Sequence, residues 1–126
     1  MASGTMNRPL GWTGMFFSNA VDSNECILIP SNANLKTSTY TATGKYFANS
    51  NTIAASLSNC PTSKAFQMLV YDILYNVAGE IRANTWDYRI RILMDYESNL
   101  FMQYVETNGS NSIIWGAWKK FTLTNA

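Results

Sequence analysis

Arg89 and Arg91 stand two residues apart in the stretch Trp86-Asp87-Tyr88-Arg89-Ile90-Arg91. Two guanidinium groups on one side of an extended segment make a basic stripe that suits an anionic sugar or a phosphate. The same spacing equally suits pairing with acidic neighbours such as Asp87, Asp95 or Glu106. Trp86 and Tyr88 share the segment, and Tyr96 follows it in Tyr96-Glu97-Ser98-Asn99. Exposed aromatic rings stack on the C–H faces of sugars; buried ones fill a core. Trp86, Tyr88, Arg89, Arg91 and Tyr96 are therefore the candidate ligand-binding residues.

Catalytic groups are harder to assemble. The chain has no histidine, which removes His-based metal sites and most Ser-His or Cys-His nucleophile pairs. Its seven glycines are scattered, so no phosphate-cradling loop forms. Asp87 and Asp95 would lie ~26 Å apart on one strand, too far for a two-carboxylate glycosidase site. Asp95, Glu97 and Asn99 meet at a turn, but their spacing matches no known calcium loop. No catalytic residue, metal or cofactor is expected. Cys26 and Cys60 are too few for a disulfide framework or a zinc site. Buried thiols are the simpler expectation, and a disulfide between them stays open.

Strands must position these residues. Asp87 to Asp95 alternates with period two: Tyr88, Ile90, Ile92 and Met94 share one side, and Asp87, Arg89, Arg91 and Asp95 the other. That pattern predicts a half-buried strand, closed by a turn at Tyr96-Glu97-Ser98-Asn99. Leu100 to Glu106 alternates again with apolar residues on both sides, as in a strand covered on two faces. Asn108-Gly109 is a tight-turn dipeptide. Ile113–Trp115 and Trp118–Leu123 then supply a last strand or strand pair. Upstream, Met15-Phe16-Phe17 and Cys26-Ile27-Leu28-Ile29 predict strands. Thr37 to Thr43 reads as a β-branched strand or strand approach that stops at Gly44. Thr52 to Leu57 suits one helical turn, Asn59-Cys60-Pro61 a turn, and Ala65 to Leu74 a buried strand. The fold class is all-β, a mainly antiparallel meander or sandwich-like knob with at most one short helix.

Composition agrees with a single domain, because 126 residues with 47% apolar content can bury a core. Nine basic and eight acidic residues leave no basic footprint for nucleic acid. No apolar run approaches the length of a membrane span, and no secretory leader follows the N-terminus. Only 13% of residues are charged, while serine, threonine and asparagine supply 38 of 126. Such a surface is common in extracellular β-proteins and viral fibres. It also suits a subunit flanked by copies of itself, since covering neutral polar groups costs less than covering charge. Residues 1–6, with a second methionine at Met6, read as a tag or cloning remnant, or as the edge of a fragment. Residues 7–33 read as an N-terminal strand and linker region, and 34–126 as the knob.

The order of several short features is similar to the pyocin-knob type module of bacteriophage tail-fibre proteins. Asn34-Leu35 precedes the Thr-rich stretch Thr39 to Thr43, which leads into Gly44-Lys45-Tyr46. Asn59-Cys60-Pro61 precedes the apolar run Phe66 to Val70. Trp115-Gly116-Ala117-Trp118-Lys119-Lys120 closes the pattern, which spans about residues 34 to 121. The resemblance departs at Lys64-Ala65-Phe66, where the family often has a glycine. It implies a β-rich, homotrimeric knob of a virion tail, made in the bacterial cytoplasm, partnered by other tail proteins and binding a bacterial surface glycan. The leading reading is a non-enzymatic receptor-binding domain. The alternatives are a structural tail or baseplate module without a ligand, and a polysaccharide-degrading tailspike fragment.

Overall fold

The computed structural model describes residues 26–73, 79–82, 85–109, 112–122 and 124–126. The leading residues 1–6 and the strand expected at Met15-Phe16-Phe17 lie outside that range. Among the described residues there are seven strands: β1 (Cys26–Leu28), β2 (Gly44–Ala48), β3 (Phe66–Asp72), β4 (Trp86–Asp95), β5 (Leu100–Asn108), β6 (Ile114–Trp115) and β7 (Lys119–Lys120). They form one sheet in the order β1-β2-β3-β4-β5, with β6 and β7 both paired to the outer edge of β5. β1 runs parallel to β2, and the other pairings are antiparallel. The all-β expectation holds, with one short α-helix among the described residues, α1 (Asn51–Ser56).

The meander β3-β4-β5 is the spine. Its last turn is built by one carboxylate. Asp95 Oδ1 accepts from the backbone N–H groups of Glu97 and Asn99, each at 3.0 Å. Its Oδ2 accepts from Thr62 Oγ1 at 2.7 Å and Asn99 Nδ2 at 3.0 Å. Ser98 takes φ 70°, which the turn requires. Burial would push the Asp95 carboxyl up, but the bonds from Asn99, Thr62 and Glu97 outweigh it and hold it below its ordinary range. The helix α1 starts as capping chemistry dictates, with Ser50 Oγ accepting from Ile53 N at 3.2 Å.

The stretch Thr37 to Thr43 is not a strand. Ser38–Thr41 forms a 3-10 turn, and Gly44 begins β2 instead of ending a strand. The reason is local. Thr41 Oγ1 donates to the Ser38 carbonyl at 2.6 Å and accepts from Ile81 N at 2.8 Å. Short hydroxyl side chains offer the backbone such alternatives to a ladder.

This turn, the segment from Ile29 to Leu35 and α1 lie over one face of the sheet. Ile29, Leu35, Tyr40, Ala54 and Leu57 pack there against Tyr46, Met68, Val70, Leu93 and Phe101. Every strand residue of that core belongs to the same face. On β4 the covered face carries Asp87, Arg89, Arg91, Leu93 and Asp95. The apolar set Tyr88, Ile90, Ile92 and Met94 points to the other, open face. The strand is as expected, but its charged side is the buried one. On β5, likewise, Phe101, Gln103, Val105 and Thr107 are buried, while Leu100 and Met102 are half-buried and Tyr104 is exposed.

Candidate functional site

The two arginines are scaffold. Arg89 grips Asp87 on its own strand with two parallel bonds of 2.9 Å, from Nε and Nη2. Its Nη1 donates to the carbonyls of Thr41 at 2.7 Å and Gly79 at 2.6 Å. Asp72, opposite on β3, lies 3.8 Å from Nη2. The expected acid pairing is therefore present for Arg89.

Arg91 is held differently, and no carboxylate partners it among the described residues. Nε donates to Gln103 Oε1 at 3.0 Å, and Nη2 reaches the same oxygen. Nη1 donates to the carbonyls of Leu35 at 2.8 Å and Tyr40 at 3.2 Å. The rings of Trp115 and Trp118 lie 4.9 Å and 5.3 Å from its guanidinium carbon. Cation–π attraction strengthens when the cation is desolvated. Burial pulls the guanidinium down to about 10, with Tyr46 and Cys60 opposing, so it stays a cation at neutral pH.

Trp115-Gly116-Ala117-Trp118 is thus a bracket around a buried cation. Gly116 makes the bracket fit: its N–H donates to Tyr104 O at 2.8 Å, and its carbonyl accepts from Gln103 Nε2 at 2.9 Å. A Cβ there would meet Tyr104 O at 3.0 Å. Both tryptophans reach one side, and Trp118 Nε1 ties down to Asn59 O at 3.0 Å. Both arginine side chains are fully buried, so the basic stripe proposed from spacing faces the core and presents no charge to a ligand.

The five candidates consequently separate into three places. Arg89 and Arg91 lie in the core. Trp86, 55% exposed, starts a row on the open face. It stacks on Tyr88 at 6.5 Å between centroids, and Tyr88 stacks on Tyr104 at 6.2 Å. The hydrogen bond between Tyr104 and Glu106, aided by burial, pushes the phenol up to about 12. Tyr96 stands at the opposite end of β4, ~33 Å from Trp86 at ~3.3 Å per residue.

At that opposite end is a pocket of about 400 Å³, lined by Phe47, Asn49, Ala65, Gln67, Met94 and Tyr96, with Ala48, Phe66 and Asp95 behind them. Tyr96 is 62% exposed. Its N–H donates to Ala65 O at 3.1 Å, and Asn51 Nδ2 donates to its hydroxyl at 3.3 Å. Asn51 is itself fixed, because its Oδ1 accepts from Ala65 N at 2.9 Å. Sequence reasoning missed Asn49 and Gln67 here. They lie far from Tyr96 along the chain, and only the pairing of β2, β3 and β4 brings them to it.

The open face between these two places is apolar. Leu69 on β3, Ile90 and Ile92 on β4 and Met102 on β5 share it, with Tyr71 beside Ile90 and Lys45 of β2 at the edge of the row. None of them belongs to the described core. Cys26 and Cys60 are free thiols, both half-buried. Among the described residues no cluster of metal-ligating side chains occurs, and no helix is long and apolar enough to cross a membrane.

The described residues thus form a single sheet that is backed on one side and carries an apolar strip on the other. No family model and no curated protein matches the sequence. Among solved structures it is similar to the R1 pyocin fibre of Pseudomonas aeruginosa, a fragment comprising C-terminal residues 323–701. The TM-score is 0.55 at 16% identity, over 75% of this chain and 21% of that one. The likeness is one of fold, and the chain spans about a fifth of the fibre fragment.

Proposed function

We propose that this chain is a non-enzymatic tail-fibre domain of a bacteriophage or phage-derived particle, and that it recognises carbohydrate on the bacterial surface. It works as a homotrimer, joined to other tail proteins in the virion. The observation that carries this reading is the apolar open face of the sheet, on a fold shared with part of a pyocin fibre. Its Leu69, Ile90, Ile92 and Met102 side chains are half-buried, and a contiguous apolar strip of this kind suits an interaction site. A second copy is the occupant that suits the middle strip of that face, where Leu69, Ile92 and Met102 stand in register between Lys45 and Lys119, because a symmetric assembly buries the same strip on every subunit. Two of the acids are committed to structure: Asp87 serves Arg89, and Asp95 serves its turn.

Light scattering coupled to gel filtration tests the assembly. The expected mass is three times the 14.1 kDa chain. A stable monomer would overturn the fibre reading. Incubation with host polysaccharide should release no new reducing ends; release would establish a depolymerase instead. A trimer that binds no host envelope material would reduce the role to a structural one.

A further inference from the structure

The geometry points to the pocket beside Tyr96 as the binding site for a neutral pyranose, one uncharged sugar unit of a surface glycan. This deepens the carbohydrate reading above and rests on it. Four observations carry it.

The first is the ring. Tyr96 presents an exposed aromatic face, yet its backbone and its hydroxyl are both tied down, through Ala65 and Asn51. A ring positioned before binding loses little freedom on binding. The second is the surface around it. Met94, 51% exposed, and half-buried Phe47 extend the apolar floor on which C–H groups can rest. The third is the polar complement. The exposed side-chain amides of Asn49 and Gln67 carry no hydrogen bond to other described residues. Each amide both donates and accepts, which matches hydroxyl and acetamido groups. The fourth is charge. No lysine or arginine lines the pocket. Asp95 is occupied by Thr62, Asn99 and Glu97 N, and nearby Lys64 pairs with Glu97 at 3.7 Å. An anionic sugar would lose its hydration there without gaining a cation. The volume of about 400 Å³ lies in the range of small-ligand sites.

The row Trp86–Tyr88–Tyr104 is the weaker platform. Its ring centroids stand 6.2 to 6.5 Å apart, so each ring partly shields its neighbour.

The test is an NMR titration of the isotope-labelled full chain with methyl glucoside, N-acetylglucosamine and glucuronate. The two neutral sugars should shift the amides of Asn49, Gln67 and Tyr96, with Kd on the order of 1 mM. Glucuronate should bind more weakly. Tyr96→Ala should weaken neutral-sugar binding about tenfold, while Tyr96→Phe, which keeps the ring, should retain most of it. Unchanged binding in Tyr96→Ala, preference for glucuronate, or shifts clustered at Trp86 and Tyr104 would each overturn the assignment. An array of bacterial surface glycans, probed with both proteins, separates this failure from a deeper one. If Tyr96→Ala labels the array as the parent does, carbohydrate recognition stands and the pocket is wrong. If the parent labels nothing and binds no sugar, the carbohydrate reading falls and the pocket with it.

Discussion

Arg91 shows what a single buried side chain can organise. Its donors satisfy the carbonyls of Leu35 and Tyr40 and the amide oxygen of Gln103, and two indoles close over it. Arg91→Ala would leave those acceptors unpaired under the sheet. We expect a loss of at least about 3 kcal/mol in chemical denaturation. Arg91→Lys should also destabilise, because one ammonium cannot span the same acceptors as a planar fork. Trp118→Ala removes half of the bracket and the tie to Asn59. A loss of about 3 kcal/mol is expected, with glycan binding at Tyr96 unchanged. Asp95 makes a pH prediction. Its folded carboxyl sits below the ordinary value, so its stabilisation is complete above roughly pH 4 and drains away as acid protonates the folded turn. As the pH is lowered below the ordinary carboxylate value of roughly 4, the unfolding midpoint of the parent should therefore fall more steeply than that of Asp95→Asn.

Strand β4 carries the main lesson at the scale of elements. Its period-two pattern was legible, and so were its turn and its partner β5. Which side faced inward was not legible from apolarity. The side with Arg89 and Arg91 is covered because the irregular segment above it brings carbonyls that need donors. An apolar backing would have left those carbonyls unpaired. The Thr37–Thr43 stretch failed as a strand for a related reason, since its hydroxyls serve the backbone locally. At the closing motif, Gly116→Ala should push β6 off β5. A Cβ would meet a carbonyl oxygen, which cannot move aside as a side chain can. The expected cost is about 1–3 kcal/mol, read by thermal unfolding, with Tyr104 displaced.

Among the described residues, one face of the sheet is packed by the core and the other carries a half-buried apolar strip. The second face carries Leu69, Ile92 and Met102 in register across three strands, with Ile90 in the next row. Ile92→Glu places a charge in the middle of that face without touching the core. It should yield a folded species of lower mass by light scattering, with an unchanged circular dichroism spectrum. If Ile92→Glu keeps the parent mass, the open face is not the assembly surface. Tyr96 lies at the strand end, beyond that middle strip, so this substitution should leave neutral-sugar binding intact.

The local grammar of this chain is written in its sequence: alternation over Asp87–Asp95, the turn at Tyr96–Asn99, the short helix near Thr52, and the absence of histidine. These follow from side-chain period, turn propensity and composition, which act over a few residues. The candidate site was only half legible, because residue type names an aromatic without saying what stands beside it. Tertiary structure alone decided that Arg89 and Arg91 are internal struts, that Trp115 and Trp118 converge on one of them, and that Asn49 and Gln67 join Tyr96. Those outcomes depend on which carbonyls and rings meet across the sheet, and the strand pattern of β4 allows either face to be the covered one.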